Sequence, residues 1–479
     1  MGNLDLARWQ FAITTVYHFL FVPITIGMSA FVAAFHTAYL RTRKPEYMRL
    51  SKFYGKLFTI NFALGLVTGI VQEFQFGMNW SNYSRFVGDI FGAPLALEAL
   101  LAFFLESTFL GLWLFGWGRI PEKLHNACIW IVHIGTLLSA YFILAANSFM
   151  QNPVGWRFNP ETNRAELTDF VAVLLNKVQL VAFPHVVTAC FMVGGAIVMS
   201  VALFMMRRHR RSEERTEDIP MYRKAVKAGA VVTLIAGIGV AITGDMQGKV
   251  MTEVQPMKMA AAEALYDTPP DGQCADFSVL SIGTIDGSQA KEIVEVPCLL
   301  SFLGTGSFDG KVEGIRNLEE AYQEKYQDNP VTYSASYIPN IPVSYWNFRF
   351  MIGAGIAASA IAALALFSIR KNRVPMQRWW GPLLVVAPLA AVFGNSFGWI
   401  FTEMGRQPWV VFGVYTTAQG VSPSVSSSDI IISMTVYTLL YAALAVVEVR
   451  LFMRYVRKGA EPYEPVKQHE GEDQLSFSY

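Results

Sequence analysis

Apolar residues along this chain gather into nine stretches long enough to cross a bilayer, which takes about 20 helical residues. They run roughly over 9–40, 53–72, 92–117, 125–148, 178–206, 225–247, 345–369, 379–402 and 429–453. The pattern predicts an all-α polytopic membrane protein with about nine transmembrane helices. The first stretch is too long, and too full of Thr, Tyr, His and Pro, to be a cleaved signal peptide. Composition agrees, with 53% hydrophobic and 16% charged residues. A net charge of +1 and the lack of a basic patch that needs one give no reason to expect nucleic acid.

Charge sets the expected orientation. The odd-to-even connections and the C-terminal tail hold 25 of the 38 Lys and Arg residues. The short even-to-odd connections hold few: Arg85, then Arg157, Arg164 and Lys177, then Arg406. Positive residues stay on the cytoplasmic side, so the N-terminus is expected outside and the C-terminus in the cytoplasm. The chain then divides into helices 1–6 over 1–247, one long outer loop over 248–344, helices 7–9 over 345–456, and a flexible cytoplasmic tail over 457–479. The loop carries 14 Asp and Glu against 6 Lys and Arg, with Pro269-Pro270. A connection of that length is normally functional or disordered. Short helices are expected around Met251 to Leu265 and Leu318 to Tyr326.

The four cysteines divide by compartment. Cys128 and Cys190 lie within apolar stretches and read as small packing residues. Cys274 and Cys298 share the outer loop, where two thiols tend to pair, making them a disulfide candidate; two unpaired thiols are the plainer alternative. The sequence has no CxxC or CxxCH, which argues against zinc, iron–sulfur clusters and covalently attached heme.

Four ionisable residues stand out within the apolar stretches, His18, Glu98, Glu106 and His185, and a fifth, Glu403, closes the eighth. A charge in hydrocarbon costs roughly 2.5–3.5 kcal/mol even on lenient scales, so such residues usually face a cavity, a cofactor or a proton path. Their depths can be compared. His18 lies nine residues below Trp9, about 14 Å along a helix. Glu98 lies about two turns below Phe91 and Glu106 about four. His185 is seven residues into its stretch, Met351 holds the equivalent place in the seventh, and Glu403 ends the eighth. All except Glu106 fall in the outer half.

Histidine and methionine at one depth suit heme iron, since a His/Met pair holds a low-spin electron-transfer heme. Each residue also has a plainer reading. A lone membrane histidine often ties helices together, and a lone methionine is usually packing. His36, His125 and His133 have no such context and read as structural. Glu98 and Glu106 are harder to dismiss, because an unpaired carboxylate in mid-membrane has few structural roles. Eight residues apart, they face within about 80° of one another on an ideal helix, as successive proton stations would.

Longer motifs then accumulate. They include Gly55-Lys56-Leu57-Phe58, Ile60-Asn61-Phe62-Ala63-Leu64-Gly65, Glu73-Phe74-Gln75-Phe76-Gly77 and Val87-Gly88-Asp89-Ile90-Phe91-Gly92-Ala93-Pro94-Leu95. Phe103-Phe104-Leu105-Glu106-Ser107-Thr108-Phe109, Met150-Gln151-Asn152-Pro153 and Gly405-Arg406-Gln407-Pro408-Trp409 continue the series. With these the chain resembles subunit I of the cytochrome bd quinol oxidases, from about residue 5 to 455, with a loop of the short class. The resemblance implies axial ligation of heme b558 by His185 and Met351, with Arg349 alongside. It implies a high-spin pair, heme b595 and heme d (or a heme b in its place), ligated by His18 and Glu403, with Glu98 beside the oxygen-reducing heme as a candidate for its second axial group. Trp399 and Arg406 match residues near that pair. Lys258 and Glu263 match quinol-binding residues of the outer loop, where Glu263 could take a proton from the quinol hydroxyl. The plainer reading of those two is a solvated pair on a loop helix.

The implied activity is oxidation of a quinol, ubiquinol or menaquinol, near the outer face, with O2 reduced to water. Protons for water would come from the cytoplasm through Glu106, Ser139 and Glu98, giving charge separation without a pump. A second membrane subunit is the implied partner, with a small single-span subunit as a further candidate. The setting is the lipid bilayer of a bacterial cytoplasmic membrane. Rival classes fit less well. A heme–copper oxidase needs at least six clustered histidines, whereas the seven here are scattered. A bc-type cytochrome b needs two helices that each carry a spaced histidine pair. A proton-coupled transporter would use membrane carboxylates but has no need of His185 and Met351 at one depth.

Overall fold

The computed structural model describes residues 2–465. Among them, nine helical spans are long and apolar enough to cross a membrane. The first two are α1 (Asn3–Thr42) and α2 (Pro45–Met78). The third is compound: α3 (Ser81–Leu97), a π-helical turn over Glu98–Phe103, and α4 (Phe104–Phe115). Next come α5 (Glu122–Gln151), the short α6 (Phe170–Leu174), α7 (Lys177–Ser212) and α8 (Ile219–Val254). The long loop contains α9 (Pro256–Glu263), α10 (Leu299–Thr305) and α11 (Ile315–Tyr326). The remaining helices are α12 (Ile341–Ser368), α13 (Trp380–Met404), the one-turn α14 (Thr417–Gly420) and α15 (Ser427–Lys458).

Three antiparallel hairpins close one end of the bundle, here the loop end. They pair β1 (Trp156–Asn159) with β2 (Arg164–Leu167), β3 (Phe277–Gly283) with β4 (Ala290–Val296), and β5 (Trp409–Val411) with β6 (Tyr415–Thr416). The other, basic end is tied by arginines. Arg49 holds Asp218 through two bonds of 2.6 and 2.8 Å, and Arg207 donates to the carbonyls of Pro375 and Gln377.

Glycines set how closely the helices approach. A Cβ on Gly27 of α1 would come within 2.3–2.8 Å of the α7 backbone at Cys190 and Gly194, and one on Gly194 would meet Gly27 in return. The two helices therefore cross backbone against backbone. A Cβ on Gly237 of α8 would likewise lie 2.5 Å from Ser359 Oγ of α12.

The third span departs from the single regular helix its apolar run suggests. Pro94 lacks the N–H that would close the preceding turn, and one turn later the helix widens into the π-segment. Such single-turn widenings are frequent at functional sites. The loop also differs from its sequence reading. The helix leaving α8 breaks at Gln255, because Pro256 can open a helix but not continue one. The expected helix near Leu318 begins three residues earlier, at Ile315. Cys274 and Cys298 are bonded, with Cα atoms 5.0 Å apart. Of the tail expected to be flexible, 459–465 rests on the basic end. Ala460 donates its N–H to Tyr222 (2.8 Å), and Lys56 bonds Glu461 (2.9 Å). The rest of that tail, 466–479, lies outside the described residues.

Candidate functional site

The two histidines of interest are held in the same way. His18 Nδ1 lies 3.0 Å from Thr68 Oγ1, and His185 Nδ1 lies 3.1 Å from Thr243 Oγ1. Each threonine hydroxyl donates its hydrogen to a carbonyl of its own helix, Gly65 (2.9 Å) or Gly239 (2.7 Å). With that hydrogen on the carbonyl, each hydroxyl offers the imidazole a lone pair, an arrangement in which Nδ1 carries the proton. Nε2 is left with its own lone pair free, the form in which histidine binds a metal. The next residue in each case is glycine: a Cβ on Gly69 would sit 3.2 Å from His18 Cε1, and one on Gly244 3.3 Å from His185 Cε1. His133 has a similar Nδ1 contact, 2.9 Å from Ser29, but packs against Trp130 and Phe191 with no glycine opposite its ring. His125 donates through Nε2 to the Trp113 carbonyl (2.7 Å) and serves as a helix tie.

Helix contacts fix the relative heights. His18 lies nine residues before Gly27 and His185 nine before Gly194, about 14 Å of helix each. Because those glycines touch, the two imidazoles lie level. Measured from the Gly237–Ser359 contact, Gly244 is seven residues toward the loop end and Met351 is eight. His185 and Met351 therefore also lie within about 2 Å of one height. Gly398 of α13 leaves room for the thioether, since a Cβ there would fall 2.8 Å from Met351 Sδ.

Helix α5 carries the carboxylate contacts along its length. Glu106 packs on Gly135, whose Cβ would lie 2.7 Å from Glu106 Cγ. Ser139 donates to Glu98 Oε1 (2.7 Å), Asn147 donates to Glu403 Oε1 (2.8 Å), and Gln151 accepts from Lys258 Nζ (2.7 Å). These positions are separated by multiples of four residues, so the contacts follow one slowly winding stripe. Arg406 donates to the other oxygen of Glu403. Glu106 Oε1 is buried and has no partner among the described residues.

The loop residues are not the solvated pair of the plainer reading. Lys258 and Glu263 are 3% and 2% exposed, and each turns to a different partner. Arg349 donates to Glu263 Oε2 (2.6 Å) and also holds the Ala262 and Ser278 carbonyls. Burial raises the Glu263 carboxyl to about 7, against the opposing pull of Arg349. Burial lowers the Lys258 ammonium to about 7, and Arg406 nearby pushes the same way. Trp399 stacks on Phe19 with ring centroids 5.2 Å apart.

The family profile described as "Cytochrome bd terminal oxidase subunit I" matches residues 6–460. The chain belongs to this family. It is 43% identical over 461 residues to cytochrome bd ubiquinol oxidase subunit 1 of Bacillus subtilis, covering 96% of this chain and 95% of that one. It is 35% identical to cytochrome bd-II ubiquinol oxidase subunit 1 of Escherichia coli, covering 95% and 96%. The solved bd oxidase structure from Geobacillus thermodenitrificans is similar at a TM-score of 0.83 and 26% identity, over 95% of this chain and 99% of that one. The chain is thus part of a quinol:oxygen oxidoreductase.

Family membership implies hemes, and the residues fit them. Two imidazoles with free Nε2 and a thioether are ligands that heme iron takes, and glycines stand against both rings and the sulfur; the Glu403 carboxylate is held by Asn147 and Arg406. Buried donors without partners among the described residues, Arg406 Nε and Nη1, Trp399 Nε1 and Trp409 Nε1, suit the carboxylates of heme side chains. Sequence reasoning missed Thr68, Thr243 and the adjoining glycines. The repeated Thr-Gly pair was the available signal. It also gave no role to Asn147, and none to Gln151 beyond its motif.

Proposed function

We propose that this subunit carries three hemes and the quinol site, oxidises quinol at the loop end and reduces O2 to water. The observation that carries the reading is the matched pair of histidines, each locked by a threonine with Nε2 free. In the proposal, His185 and Met351 hold heme b558, and His18 and Glu403 hold the high-spin pair, b595 and d or a heme b in place of d. Glu98 stands beside the oxygen-reducing heme. When bound, these groups supply the one-electron steps between quinol and oxygen. The loop end faces outward and the basic end the cytoplasm, following the distribution of Lys and Arg.

The residues then have distinct tasks. Glu263 accepts the quinol proton, with Arg349 orienting its carboxylate, and Lys258 lines the same loop site. Protons from the cytoplasmic side pass Glu106 and reach Glu98, whose carboxylate is hydrogen-bonded to Ser139. Because quinol protons leave outward and water protons arrive from inside, charge separates without a pump. The complex includes a second membrane subunit, as the names of the relatives imply, with a small single-span subunit as a further member. Its place is the bacterial cytoplasmic membrane. A reduced-minus-oxidised spectrum of the purified complex tests the reading: low-spin and high-spin bands are expected, and a spectrum without heme overturns it.

A further inference from the structure

Four side chains form one directed chain between the loop and the C-terminal end of α13. Lys258 Nζ donates to Gln151 Oε1 (2.7 Å), Gln151 Nε2 donates to Asn147 Oδ1 (2.7 Å), and Asn147 Nδ2 donates to Glu403 Oε1 (2.8 Å). With Lys258 protonated, the sense of the chain is forced by its ends. A lysine ammonium can only donate and a carboxylate can only accept. Two amides bridging them can align in a single orientation, since flipping either would set donor against donor or acceptor against acceptor. All three dipoles therefore point the same way, and bonds aligned in this manner polarise one another. The geometry is also anchored. Gln151 and Asn147 are four residues apart on α5, and the Lys258 stem lies on the Gly405 backbone, where a Cβ would meet Lys258 Cγ at 2.8 Å.

We propose that Gln151 and Asn147 are positioning residues that couple the quinol site to the high-spin heme site. A ligand beside Lys258 alters the pull of the ammonium on Gln151, and the aligned amides pass that change to Glu403. The inference rests on the proposed function, because it takes Lys258 as a quinol residue and Glu403 as a heme ligand. Neither amide touches substrate or iron in this scheme.

The test uses the purified complex and a quinone analogue as probe. In the wild type, adding the analogue to oxidised enzyme should displace the high-spin absorption band. In Gln151→Glu, the new carboxylate still accepts from Lys258 but has no hydrogen for Asn147. Quinol KM should then stay near the wild-type value while the high-spin response to the analogue is lost. In Gln151→Leu both links break, so KM should also rise about tenfold, the scale of a lost hydrogen bond to a charged group. Intact low-spin bands certify that a variant has folded, and Asn147→Asp replaces Gln151→Glu if that variant lacks them. A wild type without the high-spin response, or a Gln151→Glu enzyme that keeps it, overturns the coupling. A wild-type complex that lacks heme bands or quinol oxidation instead defeats the underlying functional reading.

Discussion

Thr243 lies 3.1 Å from His185 Nδ1 and can accept its proton while its own hydrogen bonds the Gly239 carbonyl. Thr243→Val keeps the shape and removes the acceptor, so the ring loses its fixed tautomer and orientation. Outer-shell partners of metal-bound histidines are typically worth 10–100-fold in affinity. Low-spin heme affinity should fall by about that range, read as loss of the low-spin band on dilution in detergent in the reduced-minus-oxidised spectrum. Thr68→Val should act on a high-spin band in the same way and leave the low-spin band alone. Glu106 differs, since it neighbours Gly135 and has no contact with either histidine. Glu106→Gln should slow oxygen consumption while all heme bands persist. Unchanged turnover would remove Glu106 from the proton route. Glu263 supplies a pH test. Its carboxyl is raised to about 7 by burial, so the fraction able to accept a proton grows as pH rises through 7. Quinol kcat/KM should climb across that interval, and Glu263→Gln should abolish the climb.

At the scale of elements, the decisive contact is the crossing of α1 and α7. Gly27→Val would drive a side chain into the α7 backbone, where a Cβ already falls 2.3 Å from the Cys190 carbonyl. Overpacking of this kind typically costs about 1–3 kcal/mol. Both histidines lie at fixed offsets from that crossing, so thermal loss of the low-spin and high-spin bands should shift together to lower temperature. The comparison with the sequence is instructive at this scale. The nine apolar stretches were legible because a bilayer dictates helix length, and His18 and His185 stood out because ionisable groups are rare in such stretches. The devices that hold them were not. Threonine and glycine are common in membrane helices, so Thr68-Gly69 and Thr243-Gly244 acquire meaning only once a histidine is seen opposite. The π-turn at Glu98 leaves no mark in hydropathy. The hairpin β3–β4 was missed because its strands are seven residues each and lie in a polar, proline-marked loop.

Across the whole molecule, the loop is wired to the bundle. The Cys274–Cys298 bond lies beside β3, and β3 presents the Ser278 carbonyl to Arg349, which holds Glu263. A disulfide closing a loop of this length contributes about 2–4 kcal/mol. The double replacement Cys274→Ser and Cys298→Ser should therefore loosen the loop and raise quinol KM. Heme bands should be retained, because no heme-ligand candidate lies in the loop. Loss of the bands together with affinity would show that the loop also supports the heme sites.

Helix α5 has a property beyond its individual contacts: it is a gauge of length. Its partners at 135, 139, 147 and 151 come from three different parts of the chain, and each finds its place only if the count between them is right. One residue inserted between Ser139 and Asn147 would turn everything beyond it by about 100° and move it about 1.5 Å. The Glu98 contact would survive while Glu403 and Lys258 lost theirs. Substitutions at exposed positions of α5 such as Ile134 touch none of these contacts. The helix should therefore accept changes of composition far more readily than any change of number.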